Sequence, residues 1–129
     1  MSPTQDQDPL TLATLRAVHD FNAAVNRHDL EATMALMTED CVFENTYPPP
    51  DGERFSGQAA VRAFWKEFFE SSTGAHFEFE ETFASGERAF VRWRYTWQSG
   101  DASGGYVRGV DVFRVHMGRV AEKLSYVKG

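Results

Sequence analysis

Two stretches in the C-terminal half decide the fold: residues 88–97 read RAFVRWRYTW, and residues 106–116 read YVRGVDVFRVH. In the first, Val, Trp and Tyr alternate with arginine and threonine, and the second is rich in β-branched and aromatic residues, as β-strands are. The Gly/Ser-rich residues 98–105 between them are typical of a hairpin loop. Met117-Gly118 predicts a tight turn into a last strand at residues 119–127. Consecutive antiparallel hairpins are therefore expected.

Towards the N-terminus the apolar spacing becomes helical. Residues 10–27 carry a stripe of apolar side chains with the period of an α-helix. Asp29 is placed to cap a second, short helix, and Ser56 to cap a third that ends near residue 70. A short strand is predicted at residues 41–45, between the second and third helices.

Helices followed by hairpins are typical of the α+β class. We predict a curved antiparallel sheet, with the three helices of the N-terminal half forming a cone around a cavity. Residues 10–129 are expected to form a single domain, and the polar residues 1–9 a disordered tail. Upstream of the hairpins, Phe77, Phe79 and Phe83 alternate along a further strand, and Glu81 shares their face.

Composition excludes several classes of function. The 129 residues include 13 Lys and Arg against 19 Asp and Glu, a formal net charge of −6, which argues against nucleic acid or an anionic membrane as a partner. Eleven phenylalanines indicate a large core or a lined cavity. A single cysteine, Cys41, and the lack of a signal peptide or an apolar membrane span favour the cytoplasm. No metal-ligand spacing or phosphate-binding glycine loop is found, so we expect no metal and no cofactor.

Four segments carry a resemblance to a known family: residues 26–30 (NRHDL), 38–44 (TEDCVFE), 55–61 (FSGQAAV) and 109–115 (GVDVFRV). With the order of elements, they resemble the nuclear transport factor 2-like superfamily and, within it, the SnoaL-like group of polyketide cyclase and ketosteroid isomerase relatives. The resemblance covers about residues 10–127 and implies an apolar cavity inside the cone. Members include isomerases, hydratases, cyclases, epoxide hydrolases and non-catalytic binding domains, so the fold alone does not imply the chemistry.

Catalytic residues of the family transfer only in part. The position of the ketosteroid isomerase base matches Asn45, which cannot accept a proton near neutral pH, and the position of its oxyanion-hole tyrosine matches Phe21. The second oxyanion donor matches Asp111. The acid positions of limonene epoxide hydrolase match Phe90 and Ser125. Neither of those two mechanisms is therefore implied. The resemblance lets Asp111 fill the role of the inward acid of the SnoaL-like cyclases, but no histidine lies beside it on the same face of the strand, where those cyclases usually have one.

The register of the 88–97/106–116 hairpin leaves two arrangements open. Either Arg92 or Trp93 lies opposite Asp111, and a slip of one residue exchanges the two faces. The resemblance favours an inward Arg92 paired with Asp111, whereas the hydrophobic pattern favours an inward Trp93. We expect Arg92 to point inward. The stripe of Trp93, Tyr95 and Trp97 would then lie on the outer sheet face, where we expect a homodimer to form.

The predicted site follows from these assignments. Asp111 would shuttle a proton, Asn45 would orient the substrate and Arg92 would stabilise negative charge. The alternatives are a structural ion pair for Asp111 and a turn role for Asn45. Aromatic residues expected to contact a hydrophobic small molecule are Phe21, Tyr47, Phe64, Trp65, Phe68 and Phe113.

The predicted function is that of a cofactor-independent isomerase, cyclase, hydratase or hydrolase that acts by acid/base chemistry on a hydrophobic carbonyl or polycyclic compound. The alternative is a non-catalytic ligand-binding or accessory domain of the same fold. A third hypothesis is an interaction module that uses the aromatic stripe.

Overall fold

The structure, a computed structural model, describes residues 8–72, 74–98 and 104–129. It confirms the α+β class, with three helices packed on one side of a curved, unclosed six-stranded sheet. The elements in chain order are α1 (Pro9–Asn26), α2 (Leu30–Ala35), β1 (Met37–Glu44), β2 (Arg54–Ser56), α3 (Gln58–Ser71), β3 (His76–Ser85), β4 (Arg88–Gln98), β5 (Gly104–His116) and β6 (Arg119–Val127).

The strand order across the sheet is β2-β1-β6-β5-β4-β3, so β2 and β3 form the two edges. All neighbouring strands are antiparallel except β1 and β6, which are parallel; the all-antiparallel prediction is wrong at that one place. The N-terminal strand can lie beside the C-terminal one in parallel because the rest of the chain provides the long crossover that parallel pairing needs.

Helix α1 begins where the predicted tail was expected to end. Asp8 is its N-cap, and the Asp8 carboxylate accepts a 2.7 Å hydrogen bond from the backbone N–H of Thr11. Pro9 follows at the first helical position, where its missing N–H costs nothing. The rest of the predicted tail, residues 1–7, lies outside the described part of the chain.

The second and third helices begin differently. The carboxylate of Asp29 caps α2 as predicted, by accepting a 3.0 Å hydrogen bond from Ala32 N. Ser56 does not cap α3, because residues 54–56 pair with β1 as the edge strand β2. The helix begins one residue later, after Gly57, whose φ of 86° lies in the left-handed region that favours glycine.

The register of β4 and β5 decides which side chains face the interior. Val91 pairs with Asp111 and Trp93 with Gly109, so these residues face the helices. Trp93 is 4% exposed, while the Arg92 side chain is 58% exposed on the opposite face. The predicted inward Arg92 is therefore wrong. Burial of the indole gains more free energy than burial of a guanidinium, which would lose its hydration.

A β-bulge interrupts β3 between Phe79 and Glu81. Phe77 and Phe79 pack against the core, but beyond the bulge Phe83 is 57% exposed and Glu81 faces outward with Arg92. The shared face predicted for these residues is therefore wrong. An extra residue in one strand shifts the alternation of every side chain that follows it.

Two hydrogen bonds join the edge strand β3 to the C-terminal end of α1. Asn26 Nδ2 donates to Phe77 O at 2.8 Å, and Phe77 N donates to Asn26 Oδ1 at 2.9 Å. The amide thus makes the pair of hydrogen bonds that a neighbouring strand would make. The hydrophobic core lies between the inner sheet face and helices α1 and α3.

Candidate functional site

A cavity of about 120 Å³ lies between α3 and the inner face of β1 and β3–β6. Its wall is mainly aromatic, with a few polar groups. The aromatic side chains on the wall are those of Phe43, Phe64, Trp65, Phe68, Phe77, Trp93 and Tyr95, and the polar ones include Asn45, Asp111, Lys123 and Ser125.

The polar groups form a connected cluster on β5 and β6. Lys123 Nζ lies 3.2 Å from Asp111 Oδ2. The Ser125 hydroxyl donates to Asp111 Oδ1 at 2.6 Å and accepts from Lys123 Nζ at 3.0 Å. The side chains of Asp111 and Lys123 are only 3% and 8% exposed. The two buried charges neutralise each other, which is the arrangement that burial of an ion requires.

Aromatic rings complete the surroundings of the Lys123 ammonium group. Nζ lies 4.7 Å from the centroid of the Phe43 ring and 5.6 Å from that of Trp65. A cation at these distances from an aromatic face is attracted by the ring quadrupole. Lys123 therefore has an anion on one side and aromatic rings on the other.

Sequence reasoning missed Lys123 because of a second bulge. The register of β6 against β5 shifts between Arg114 and Val115. As a result Val120 and Ala121 are both buried, and Lys123 pairs with the inward Phe113. Strict alternation from the turn at residues 117–118 would have placed Lys123 on the outer face. The buried partner of Asp111 is thus Lys123, whereas Arg92 pairs with Glu81 at 3.7 Å outside the cavity.

Asn45 takes the turn role that was the alternative for it. Its Oδ1 accepts a 2.7 Å hydrogen bond from Glu53 N, and its backbone N–H donates to Glu53 O at 3.0 Å. Asn45 closes the loop that contains the three prolines while also lying on the cavity wall.

The aromatic residues predicted to contact a ligand separate into two groups. Phe64, Trp65 and Phe68 lie on the cavity wall. Phe21 and Phe113 do not; both are fully buried, with ring centroids 6.0 Å apart, because they fill the core between α1 and the sheet. Tyr47 is 74% exposed and lies outside the cavity, on the wall of a groove that Asn45, Phe64 and Phe68 also line. For Phe21 and Phe113 the predicted ligand contact is wrong, and for Tyr47 it stays a prediction.

Two indole groups on the wall have no hydrogen-bond partner. Trp65 and Trp93 are 2% and 4% exposed, and within the described residues neither Nε1–H finds an acceptor. A buried N–H without a partner is rare and costly in a folded protein. Nearby, the Tyr95 phenol is half-buried, and burial raises its pKa while a hydrogen bond with Ser72 partly opposes that rise.

Over residues 8–72, 74–98 and 104–129, no three His, Cys, Asp or Glu side chains come close enough to hold a metal ion. None of the described helices combines the length and the apolar character that crossing a bilayer requires.

Comparison with known proteins assigns the chain to a family. Residues 18–123 match the family model of the SnoaL-like domain, and the chain belongs to this family. A protein of unknown function from Mesorhizobium loti with the nuclear transport factor 2-like fold shares 41% identity, over 95% of this chain and 97% of the other, with a TM-score of 0.81. Among curated proteins no match was found.

Less similar structures share the fold alone. A protein assigned as a ketosteroid isomerase from Kribbella flavida is 23% identical over 92% of this chain and 80% of its own, with a TM-score of 0.77. An epoxide hydrolase of the limonene type from M. tuberculosis is 21% identical over 93% of this chain and 86% of its own, also with a TM-score of 0.77.

Proposed function

We propose that this protein is a cofactor-independent enzyme that moves a proton next to the carbonyl group of a small apolar compound. The observation that carries the proposal is the Asp111–Lys123–Ser125 cluster on the wall of an aromatic cavity. One structure of the same fold is assigned as a ketosteroid isomerase, whose name describes a reaction of this class, while the epoxide hydrolase of the same fold carries out a different one.

The chemistry assigns one task to each charged group. The Asp111 carboxylate takes a proton from the carbon beside the carbonyl, and the electron pair of that C–H bond forms a C=C bond as the carbonyl oxygen becomes an enolate. The Lys123 ammonium group stabilises the negative oxygen. Return of the proton to the same carbon, or to a conjugated one, restores the carboxylate. Ser125 is a positioning residue, because its hydroxyl contacts both charged groups.

The volume of the cavity limits the size of the substrate that the sequence predicted. Cavities that enclose drug-sized ligands measure about 300–1,000 Å³. The cavity here, about 120 Å³, admits one small ring, and a larger compound would extend past Asn45, Phe64 and Phe68 into the groove of about 570 Å³ that these residues also line. We therefore propose that the part of the substrate inside the cavity is a single small ring or a short chain.

Deuterium exchange tests the proposal without knowledge of the natural product. Cyclopentanone is incubated with the protein in D₂O, and loss of the signal from its α-protons is followed by NMR. We expect the protein to accelerate exchange, and Asp111→Asn to reduce that acceleration by about 100-fold or more, as the loss of a general base does. Arg92→Gln, on the outer face, is the matched control and should retain the wild-type rate.

Folding of the variants must be separated from their chemistry. Asp111→Asn leaves the Lys123 charge buried without its partner, so its circular dichroism spectrum is recorded beside the rate. If it does not fold, Asp111→Asn/Lys123→Met replaces it, since that variant leaves no buried charge. A folded variant without Asp111 that exchanges at the wild-type rate would exclude Asp111 as the base.

Non-catalytic binding is a second candidate function, favoured by the pairing of Asp111 with Lys123. Both oxygens of the Asp111 carboxylate are already in contact, one with the Lys123 ammonium group and the other with the Ser125 hydroxyl, which leaves fewer lone pairs for a substrate proton. Binding of the ketone without exchange would support this alternative.

We also propose that the protein forms a homodimer through the outer sheet face. Trp93, which was expected on this face as part of the aromatic stripe, points inward. Val112 points outward, between Phe90 and Leu124 on the neighbouring strands. Most arginines of this face lie beside glutamates, for example Arg88 beside Glu122 at 3.0 Å, while Arg94 lies over the Tyr106 ring. A face with apolar residues at its centre and largely paired charges can meet a second copy without strong repulsion. A cytoplasmic location stays a prediction.

A further inference from the structure

We infer that a groove on the outer face of the sheet binds a small organic dianion, in which an apolar body carries two negative charges as a dicarboxylate or a phosphate monoester does. The groove measures about 600 Å³ and lies on the side of the sheet opposite to the cavity. The inference therefore goes beyond the proposed function and does not depend on it.

The charge of the groove is opposite to that of the whole chain. The chain carries a formal net charge of −6. The described lining of the groove, in contrast, has three cations, Arg92, Arg108 and Lys128, against one acid, Glu80. A concave surface on which one sign of charge predominates attracts ligands of the other sign. Two positive charges remain after Glu80 is counted, which matches a dianion.

The single acid engages few of the hydrogen-bond donors in the groove. The Glu80 carboxylate lies 3.4 Å from Nη2 of Arg108, within hydrogen-bond distance, and 4.0 Å from Nε of Arg92, beyond it. Each guanidinium group has five N–H donors in a planar fork that fits a carboxylate or a phosphate group. Within the part of the chain that the structure describes, no carboxylate forms an ion pair with the Lys128 ammonium group.

Pairing across the strands places cations side by side. Arg94 of β4 lies directly opposite Arg108 of β5, and on the other side of Arg108 the backbone N–H of Lys128 donates to Arg108 O at 2.8 Å. Arg94 also has Glu78 opposite it on β3, and its guanidinium group lies 4.1 Å from the centroid of the Tyr106 ring. Arg108 and Lys128, however, are neighbours of like charge, and such pairs lower the stability of a sheet. A dianion bound between them would remove this repulsion.

Apolar surface in the groove favours an organic anion over an inorganic one. Val110 lies between Arg92 and Tyr126 in the adjacent row of the sheet. Tyr126 and Val127, which also line the groove, are 54% and 40% exposed. A ring bound there would remove apolar surface from water, which adds to the affinity. The volume of the groove lies within the range of about 300–1,000 Å³ that is usual for small-molecule sites.

Phthalate is a suitable probe, because one aromatic ring carries two carboxylates, and dimethyl phthalate has the same ring without the charges. Binding is followed by NMR of the backbone amide groups at about pH 8. We expect phthalate to shift the signals of residues 108–110 and 126–128 in a saturable manner, and the ester to bind at least tenfold more weakly. Phenyl phosphate, measured beside phthalate, shows which anionic group is preferred, and tight binding of either supports the inference. Inorganic phosphate should bind at least tenfold more weakly than the tighter of the two.

Variants that change one charge locate the site. Arg108→Gln and Lys128→Gln should each weaken phthalate binding about threefold to fivefold, as the loss of one exposed charge pair does, and the double variant at least tenfold. Glu80→Gln should strengthen binding, because it removes the acid that competes for the arginines. Arg119→Gln, at the opposite end of β6, makes the same change of net charge as Lys128→Gln and should keep the wild-type affinity. Circular dichroism confirms that each variant is folded.

Three outcomes would overturn the inference. The first is equal affinity for phthalate, its dimethyl ester and inorganic phosphate. The second is a folded double variant of Arg108 and Lys128 that binds phthalate as tightly as Arg119→Gln does. The third is weaker binding of phthalate to Glu80→Gln. Light scattering of the complex records its mass, because the groove shares the outer face with the proposed homodimer, and binding to the monomer or to the dimer supports the inference equally. None of these results depends on deuterium exchange in the cavity.

Discussion

Lys123 and Asp111 form the buried ion pair on which the electrostatics of the cavity depend. The Coulomb attraction between such groups is offset by the loss of their hydration, so the pair as a whole adds little to stability. Removal of one partner is different, because the other charge then stays buried without compensation. Each of the two positions therefore tolerates few substitutions while the other keeps its charge.

Substitution of one member of the pair should therefore destabilise the fold strongly. We expect Lys123→Met to lower the free energy of unfolding by about 3–5 kcal/mol, and the double variant Lys123→Met/Asp111→Leu to recover most of that loss. Urea denaturation measures both. The exposed pair of Arg88 and Glu122 is the control, and Arg88→Met should cost at most about 1 kcal/mol. Equal effects of Lys123→Met and Arg88→Met would contradict the burial of the pair.

Because the phenol of Tyr95 is half-buried, we expect the protein to lose stability at high pH. Burial raises the pKa of its phenol above the usual value of about 10, so the folded protein keeps the proton when the unfolded chain has released it. The free energy of unfolding should therefore be constant with respect to this group below pH 10 and fall as the pH rises from there to the folded-state pKa. Tyr95→Phe should remove that part of the fall in urea denaturation series, and Tyr47→Phe, at an exposed tyrosine, should not.

At the scale of the elements, the sequence predicted the order of helices and strands because periodicity reports each one separately. The second helix and its Asp29 cap, and the last strand at residues 119–127, agree with the structure. What periodicity does not contain is the pairing between strands. Bulges in β3 and β6 leave no local signal, yet they decide that Glu81 faces outward and Lys123 inward.

The hairpin of β4 and β5 illustrates the same limit. A long loop does not fix the register of its strands, so Arg92 and Trp93 were both possible partners for the cavity. The hydrophobic pattern correctly predicted an inward Trp93, and the comparison with the isomerase and the hydrolase wrongly predicted an inward Arg92. Of the Asp111–Lys123–Ser125 cluster, the sequence predicted Asp111, while the inward position of Lys123 depends on the pairing of β5 with β6.

The hydrogen bonds between Asn26 and Phe77 that join β3 to α1 should contribute to stability. Asn26 uses one donor and one acceptor to pair with both backbone groups of Phe77, and a carboxylate has no donor for the Phe77 carbonyl. We expect Asn26→Asp to lower the free energy of unfolding by about 1–3 kcal/mol, the cost of an unsatisfied polar group. Hydrogen exchange should rise most in β3. The exposed Asp20→Asn exchanges the same two residue types in α1 and should leave β3 unchanged. Uniform exchange across the sheet in Asn26→Asp would show that Asn26 does not hold this edge.

At the scale of the whole molecule, the two faces of the sheet have different tasks. The inner face supports the aromatic core and a cavity whose charges cancel. The outer face carries an open groove of about 600 Å³ lined in part by Arg92, Arg108 and Tyr126. Both arginines pair with Glu80, at 4.0 Å and 3.4 Å, and Lys128 lies on the same wall, so the described lining of the groove carries more positive than negative charge.

The homodimer prediction follows from that outer face. Light scattering should give a mass near twice 14.6 kDa for the wild-type chain. Val112→Lys places a charge between Phe90 and Leu124 at the centre of the face, so burial in a dimer would cost its hydration, and we expect a monomer that remains folded. Ala13→Lys makes the same change of charge at an exposed position on α1 and should stay dimeric. Trp93→Lys, in contrast, should unfold the chain, because Trp93 lies in the interior. A wild-type mass of 14.6 kDa at all concentrations would leave the outer face as a solvated surface of charged pairs.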